Sequence, residues 1–498
     1  MIRNIEITLL LIAGLLSISG INYIYSSPVS HSFVLYGSPD TEGARTIASD
    51  STYLYISGTV DNSDTSYDVL VVKLDPSTNQ ISWANEIQGS GIDVAQGSIV
   101  SSDGYLYLAG YTSSNSTGLD DIFIAKVNPS TGALEWFKTI NGAQEDMGYS
   151  ICQSPNDGYL YATGYTESFG AGGYDAFIVK MDTTGSLVGF YTIGGSYNDY
   201  GYGIACDNSG GIYVTGRTDS YGVGSGDMFI AKFDSTQQKL DWFTTIGSTD
   251  NSYTDYGWGI TFGGDGYIYA TGIFGYESNG ANISVAKIDA STGSVVWFKV
   301  IGGEEDDDQG YGVTYAPDGK LYLTGYTTSY GSGDEDIFIA MVEPSDGSIG
   351  WFKTVGGSDY DRGYGVVVGP GNYLYLAGRT NSYGEGGYDL FSLMASDSLG
   401  NLTWTGGEAW DQVYVYNIVL NSIKPLYSSS NPTATLNSYS TVTVTSQSFT
   451  VSSVTNSFVE HVAVDSNTPD PVPEPWFLSL VMIGLSGALF LALYNRGN

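Results

Sequence analysis

From residue 32 to 405 the chain is a succession of short segments in which apolar and polar positions alternate, broken by Gly, Pro, Asn, Asp or Ser. Period two is the mark of a strand, and turn residues at intervals of about 8–12 residues predict short antiparallel strands. No stretch between the two ends of the chain carries helical periodicity. One segment recurs: Leu134-Glu135-Trp136-Phe137-Lys138-Thr139-Ile140 returns as Leu187–Ile193, Leu240–Ile246, Val295–Ile301 and Ile349–Val355. Its tryptophan position is filled by Trp83, Trp136, Gly189, Trp242, Trp297, Trp351 and Trp404, at spacings of 53, 53, 53, 55, 54 and 53. Seven copies of one unit are counted this way.

Each copy holds four strand segments in fixed order. A Gly-Tyr-Gly-Ile/Val segment (Gly201–Ile204, Gly310–Val313) is followed by an Asp-Gly turn, as at Asp103-Gly104 or Asp318-Gly319. Tyr-Leu-Tyr-Leu comes next, then a Gly/Ser-rich loop, then Asp-x-Phe-Ile-Ala-Lys (Asp121–Lys126, Asp227–Lys232), then a Pro-Ser-Thr-Gly turn and the Trp-Phe strand. Strands apolar on both faces suit sheets packed radially, and small residues belong to the strand nearest a crowded axis. The reading is all-β: a seven-bladed β-propeller of four-stranded antiparallel blades over 28–405. These units resemble the β-propeller repeat called SBBP, over roughly residues 32–405. That resemblance implies a fold and an extracellular habit without a defined activity. Two segments compete to complete the last blade, Ser32–Ser38 from the N-terminal side and Leu399–Thr405 from the other.

Composition narrows the function classes. The chain has 498 residues, with 67 glycines and 41 tyrosines, which fits short strands and tight turns. Its 17 basic and 53 acidic residues give a net charge of −36, which excludes nucleic acid as an expected partner. Two histidines and two cysteines leave little for His-dependent triads or His/Cys zinc sites.

The ends carry apolar runs. Residues 1–27 read as a signal peptide, with Arg3 ahead of the run Ile7–Ile18. Trp476 to Tyr494 is long and apolar enough for a transmembrane helix, preceded by a Pro-rich juxtamembrane stretch and followed by Arg496; this end is 471–498. Val472-Pro473-Glu474-Pro475, the apolar span and the arginine resemble a PEP-CTERM sorting signal, with Arg496 alone where that family has several. Residues 406–470, rich in Ser and Thr, read as a small β-rich stalk or a spacer. The expected location is the cell surface, with the propeller outside.

Candidate chemistry gathers on the loops. The turns entering the first strand of each copy are acidic, and Asp68, Asp121, Asp175, Asp227, Asp336 and Asp389 open the third strand. A repeated Asp fixes a turn through its own backbone; the competing reading is a Ca²⁺ site through Glu304, Glu305, Asp306, Asp308, Asp359 and Asp361. Tyr165, Tyr221, Tyr326, Tyr330 and Tyr383, in or beside Gly-rich loops, are candidates for stacking on sugar rings, against the alternative of packing. Cys152 and Cys206 fall on first strands of neighbouring copies and are candidates for a disulfide or for buried thiols. Asn115, Asn282 and Asn401 open glycosylation sequons. No catalytic residue and no cofactor other than Ca²⁺ is expected. The leading functional expectation is a non-enzymatic scaffold binding an extracellular protein or polysaccharide through its loop face. The alternatives are a polysaccharide lyase or hydrolase using carboxylates of the acidic face, and a self-assembling coat subunit.

Overall fold

The computed structural model describes residues 42–382 except 62–66, 115–118, 224, 248–253, 276–279, 304–306 and 332. It also describes the strands Phe33–Tyr36 and Asp389–Ala395 and five short strands between 415 and 463. The chain divides into Met1–Val464 and Asp465–Asn498, and every described residue lies in the first unit. Among the described residues the structure is all β, apart from a single 3₁₀ turn at Pro370–Asn372. No helix there is long and apolar enough to cross a membrane. The signal segment, the C-terminal span with its sorting-signal resemblance, and Leu399–Thr405 lie outside the described residues.

The strands form a β-propeller. Six blades are each built from four consecutive antiparallel strands: blade I (42–88), II (93–141), III (146–194), IV (199–246), V (256–301) and VI (308–355). The expected seven equivalent copies are thereby corrected to six self-contained blades. The last copy supplies three strands, Asp361–Val368, Leu374–Thr380 and Asp389–Ala395, and its sheet is completed from the other end of the chain. Phe33–Tyr36 pairs antiparallel with Leu390–Leu393 in this composite sheet. First strands touch in cyclic order, and that of the composite sheet touches that of blade I, so the ring is closed.

The apolar interior lies between sheets rather than within one. Seven clusters of buried side chains occur, one at each junction; Ile178, Tyr191, Val214 and Phe229, for example, join blades III and IV. Strands apolar on both faces are what this geometry requires. Asp-Gly turns deliver the chain to the second strand, with Gly104, Gly158, Gly266 and Gly319 all at φ between 75° and 86°. The aspartate of that turn accepts from the second tyrosine of Tyr-Leu-Tyr-Leu, as in Tyr107 Oη to Asp103 at 2.8 Å, and from Lys126 at 2.9 Å. In blades I, IV and V the recurrent tryptophan ties the blade to the next by a hydrogen bond. Trp83 Nε1 donates to the Pro129 carbonyl at 3.1 Å and Trp297 Nε1 to that of Pro344 at 3.1 Å. Blade III has Gly189 at this position, and Tyr191 supplies the ring contact to Phe233 of blade IV.

Cys152 and Cys206, on the first strands of blades III and IV, are joined by a disulfide with Cα atoms 6.0 Å apart. Five short described strands fall within the stretch expected to form a stalk or spacer. Val415–Tyr416, Thr435–Ser438, Thr443–Ser446, Thr450–Ser453 and His461–Ala463 add a fifth strand to blades V, III, II, I and the composite sheet in turn. An outer strand leaves a row of unpaired N–H and C=O groups, and these segments satisfy part of that row. His461–Ala463 pairs with Phe33–Leu35, so the N-terminal strand lies between two others.

Candidate ligand-binding channel

Every first strand carries a register shift at the same place, between Ala44/Thr46, Ala95/Gly97, Gly148/Ser150, Gly201/Gly203, Gly257/Gly259, Gly310/Gly312 and Gly363/Gly365. A bulge leaves one residue unpaired and re-aims its side chain. The seven extra residues are Arg45, Gln96, Tyr149, Tyr202, Trp258, Tyr311 and Tyr364, and all seven line one central channel. Glycines beside the bulge allow it. A Cβ on Gly203 would stand 2.6 Å from the Trp258 carbonyl oxygen, and one on Gly259 2.5 Å from that of Tyr311. Each glycine therefore admits the bulged backbone of the next sheet. The Gly-Tyr-Gly segment is a device for presenting an aromatic ring at the axis.

The rings form a continuous arc. Centroid separations are 5.1 Å for Tyr149–Tyr202, 4.2 Å for Tyr202–Trp258, 5.6 Å for Trp258–Tyr311 and 5.1 Å for Tyr311–Tyr364. The Arg45 guanidinium lies 4.9 Å from the Tyr364 centroid and extends the arc into blade I. One tier further along the strands the lining is aliphatic, with Ile47, Ile151, Ile204, Ile260, Val313 and Val366. The cavity measures about 610 Å³, within the range of ordinary ligand pockets.

Among the described residues the charged groups that line the channel are Arg45, Arg362 and Arg379, and none is acidic. Arg362 is neutralised by a two-pronged ion pair with Glu335, just outside the lining. Burial acts against the Arg362 charge, and the Glu335 hydrogen bonds and the surrounding tyrosines outweigh it, raising its pKa. Burial pushes Tyr111 up to about 12 and raises Tyr149, Tyr202 and Tyr311, so these hydroxyls stay protonated donors at neutral pH. Arg45 Nε and Trp258 Nε1 are buried and without a hydrogen-bond partner.

The residues singled out in the sequence fall into three groups. Tyr165 and Tyr326 back the arc, 5.6 Å from Tyr149 and 5.9 Å from Tyr311. Tyr221 and Tyr330 do not reach it: their hydroxyls donate to the Gly194 and Gly302 carbonyls at 2.9 and 3.0 Å, which makes them packing anchors. Asp308 and Asp361 are buried acceptors that fix loops; Asp361 accepts from Ser382 Oγ at 2.7 Å and Gly357 N–H at 2.9 Å. Asp359 is exposed, and among the described residues no three or more His, Cys, Asp or Glu side chains are placed to hold a metal. Glu304, Glu305, Asp306, Tyr383, Asn115 and Asn401 lie outside the described residues. Asn282 is 5% exposed within its strand, so the folded chain does not offer it for glycosylation. The bulged ring was missed as a site. Its signal was present, since an aromatic residue between two glycines recurs at the repeat period.

A family profile described as a β-propeller repeat, SBBP, matches residues 188–222, spanning the end of blade III and the start of blade IV. The chain is a β-propeller, and this segment of it is similar to the SBBP repeat. No curated protein matches it. Among solved structures it is similar to Sqt1 of Chaetomium thermophilum bound to the N-terminus of ribosomal protein L10, at 10% identity and a TM-score of 0.43, covering 72% of this chain and 98% of that one. It is similar to the WD40 domain of Toxoplasma gondii coronin at 13% identity and 0.41, covering 75% and 89%. The polysaccharide lyase Uly1 stands at 12% and 0.44, covering 70% and 89%. Likenesses at this level carry no functional reading.

Proposed function

We propose that this propeller is a non-enzymatic extracellular scaffold that binds polysaccharide at its central channel. The observation that carries the reading is the contiguous ring arc Tyr149–Tyr202–Trp258–Tyr311–Tyr364, exposed to a cavity of about 610 Å³. Aromatic faces with polar tips suit sugar rings, which present apolar C–H faces and hydroxyl edges. Export and surface anchoring belong to the same proposal. The Cys152–Cys206 disulfide supports it, because such bonds persist in oxidising compartments. A hydrolase or lyase working through Asp359 and Asp361 has less support, since Asp361 is committed to its loop and among the described residues no carboxylate lines the channel. Isothermal titration against a panel of soluble polysaccharides tests the proposal. Binding that Trp258→Ala weakens about tenfold or more, with an unchanged melting midpoint, is the expected result. No binding by any member of the panel would overturn it.

A further inference from the structure

The arc is not uniform, and its asymmetry names a ligand class. Arg45 and Arg379 lie 4.9 and 5.8 Å from the same Tyr364 ring centroid, on the first strand of blade I and the second strand of the composite sheet. Both guanidinium groups thus stand beside one ring of an otherwise aromatic arc, and among the described residues no carboxylate lines the channel. Arg362, a third guanidinium of the lining, is held by Glu335. Arg45 Nε is a buried donor with no partner, and across the channel Trp258 Nε1 is another. A guanidinium presents parallel N–H groups that match a carboxylate or a sulfate.

We propose that the channel selects an acidic pyranose, a sugar ring bearing a carboxylate or sulfate, with its ring on the Tyr202–Trp258–Tyr311 arc and its anionic group at Arg45. The inference rests on the polysaccharide reading above and sharpens it. The outer surface, in a chain of net charge −36, repels a long polyanion, so the channel receives a chain end or a short acidic oligomer.

The test is titration calorimetry of the full chain with three probes: trigalacturonate, its fully methyl-esterified form, and a sulfated galactose trisaccharide. At least one acidic probe is expected to bind ten times or more tighter than the ester, and whichever does so identifies the anionic group. Arg45→Gln is expected to erase that preference. Arg45→Lys, which keeps the charge and loses the fork, restores it in part. Trp258→Ala weakens acidic probe and ester alike. Equal binding of ester and acids, or an acid affinity unchanged in Arg45→Gln of normal melting midpoint, would sink the acidic-ligand inference and leave the polysaccharide reading standing. Silence of all three probes would likewise sink the acidic-ligand inference, and the polysaccharide reading would then be decided by the wider panel.

Discussion

A carboxylate placed between two blades has to be either paired or protonated, and this chain repeats that choice around the ring. Asp121 and Asp146 both approach Gly142: its N–H donates to Asp121 at 3.2 Å, and a Cβ there would stand 2.2 Å from Asp146. Burial pushes Asp93, Asp121 and Asp175 up to about 6 and Asp227 to about 7. The native state therefore holds protons between pH 4 and 7 that the unfolded chain has released. Stability from these groups is full below about pH 4 and is lost as pH rises through 6 to 7. Asp103, Asp157 and Asp207 act in the opposite sense. Burial opposes their ionisation, but hydrogen bonds such as those from Lys126 and Tyr107 to Asp103 outweigh it, so their contribution is lost only as pH falls below about 4. The melting midpoint should peak near pH 4–5 and decline toward neutrality, and a flat profile from pH 4 to 7 in calorimetry would contradict this. Blade V already carries Asn282 where other blades have Asp. Asp175→Asn should accordingly stabilise the chain at pH 7.5 by on the order of 1–3 kcal/mol and remove one proton from the linkage between pH 4 and 6. The structural role of the repeated Asp was legible in the sequence, because a turn former at fixed phase has a local job. The channel ring left a trace, an aromatic residue beside glycine at the repeat period, but its facing the axis did not show, because a tyrosine on a bulge and a tyrosine between blades look alike until the register shift is seen.

At the scale of elements, the disulfide and the added strands do related work at opposite radii. Cys152–Cys206 staples the first strands of blades III and IV beside the channel. The double variant Cys152→Ser, Cys206→Ser should unfold with about 2–4 kcal/mol less stability, and a denaturant midpoint unchanged from the oxidised parent would contradict that. Truncation after residue 434 removes four fifth strands and should lower the melting midpoint by several degrees while the β-sheet circular dichroism persists, because four strands already complete each of those sheets. Removing Phe33–Tyr36 should be far more damaging, since it strips the composite sheet of the strand that closes it. Strand identity in this C-terminal region could be read from its alternation of Thr and Val. Its partners could not, because an edge pairing is chosen by backbone groups of strands hundreds of residues away.

At the scale of the molecule, three arginines at the channel sit inside a chain of net charge −36. The two fields act at different ranges. Repulsion of an acidic ligand extends over a Debye length, which shrinks from about 30 Å at 0.01 M salt to about 8 Å at 0.15 M, while the contact with Arg45 is local. The association rate of trigalacturonate should therefore rise, rather than fall, across that salt range in stopped-flow measurements. A falling rate would mean that steering is attractive and that the acidic exterior does not govern approach. Composition alone pointed away from polyanions, correctly for the outer surface, and gave no view of the charge at the axis.

The strand Phe33–Tyr36 finds its partners at Leu390–Leu393 and His461–Ala463. Those partners are the last parts of the ring to leave the ribosome. At about 5–20 residues per second, the N-terminal strand waits some tens of seconds for the first of them. Blades I to VI need only their own consecutive strands and can form in that interval, but the circle cannot close until Leu390–Leu393 has been made. Until then the nascent chain is an open arc with two exposed blade faces. Whatever machinery handles it must shield those faces, and the order of events makes closure a checkpoint on having a complete ring.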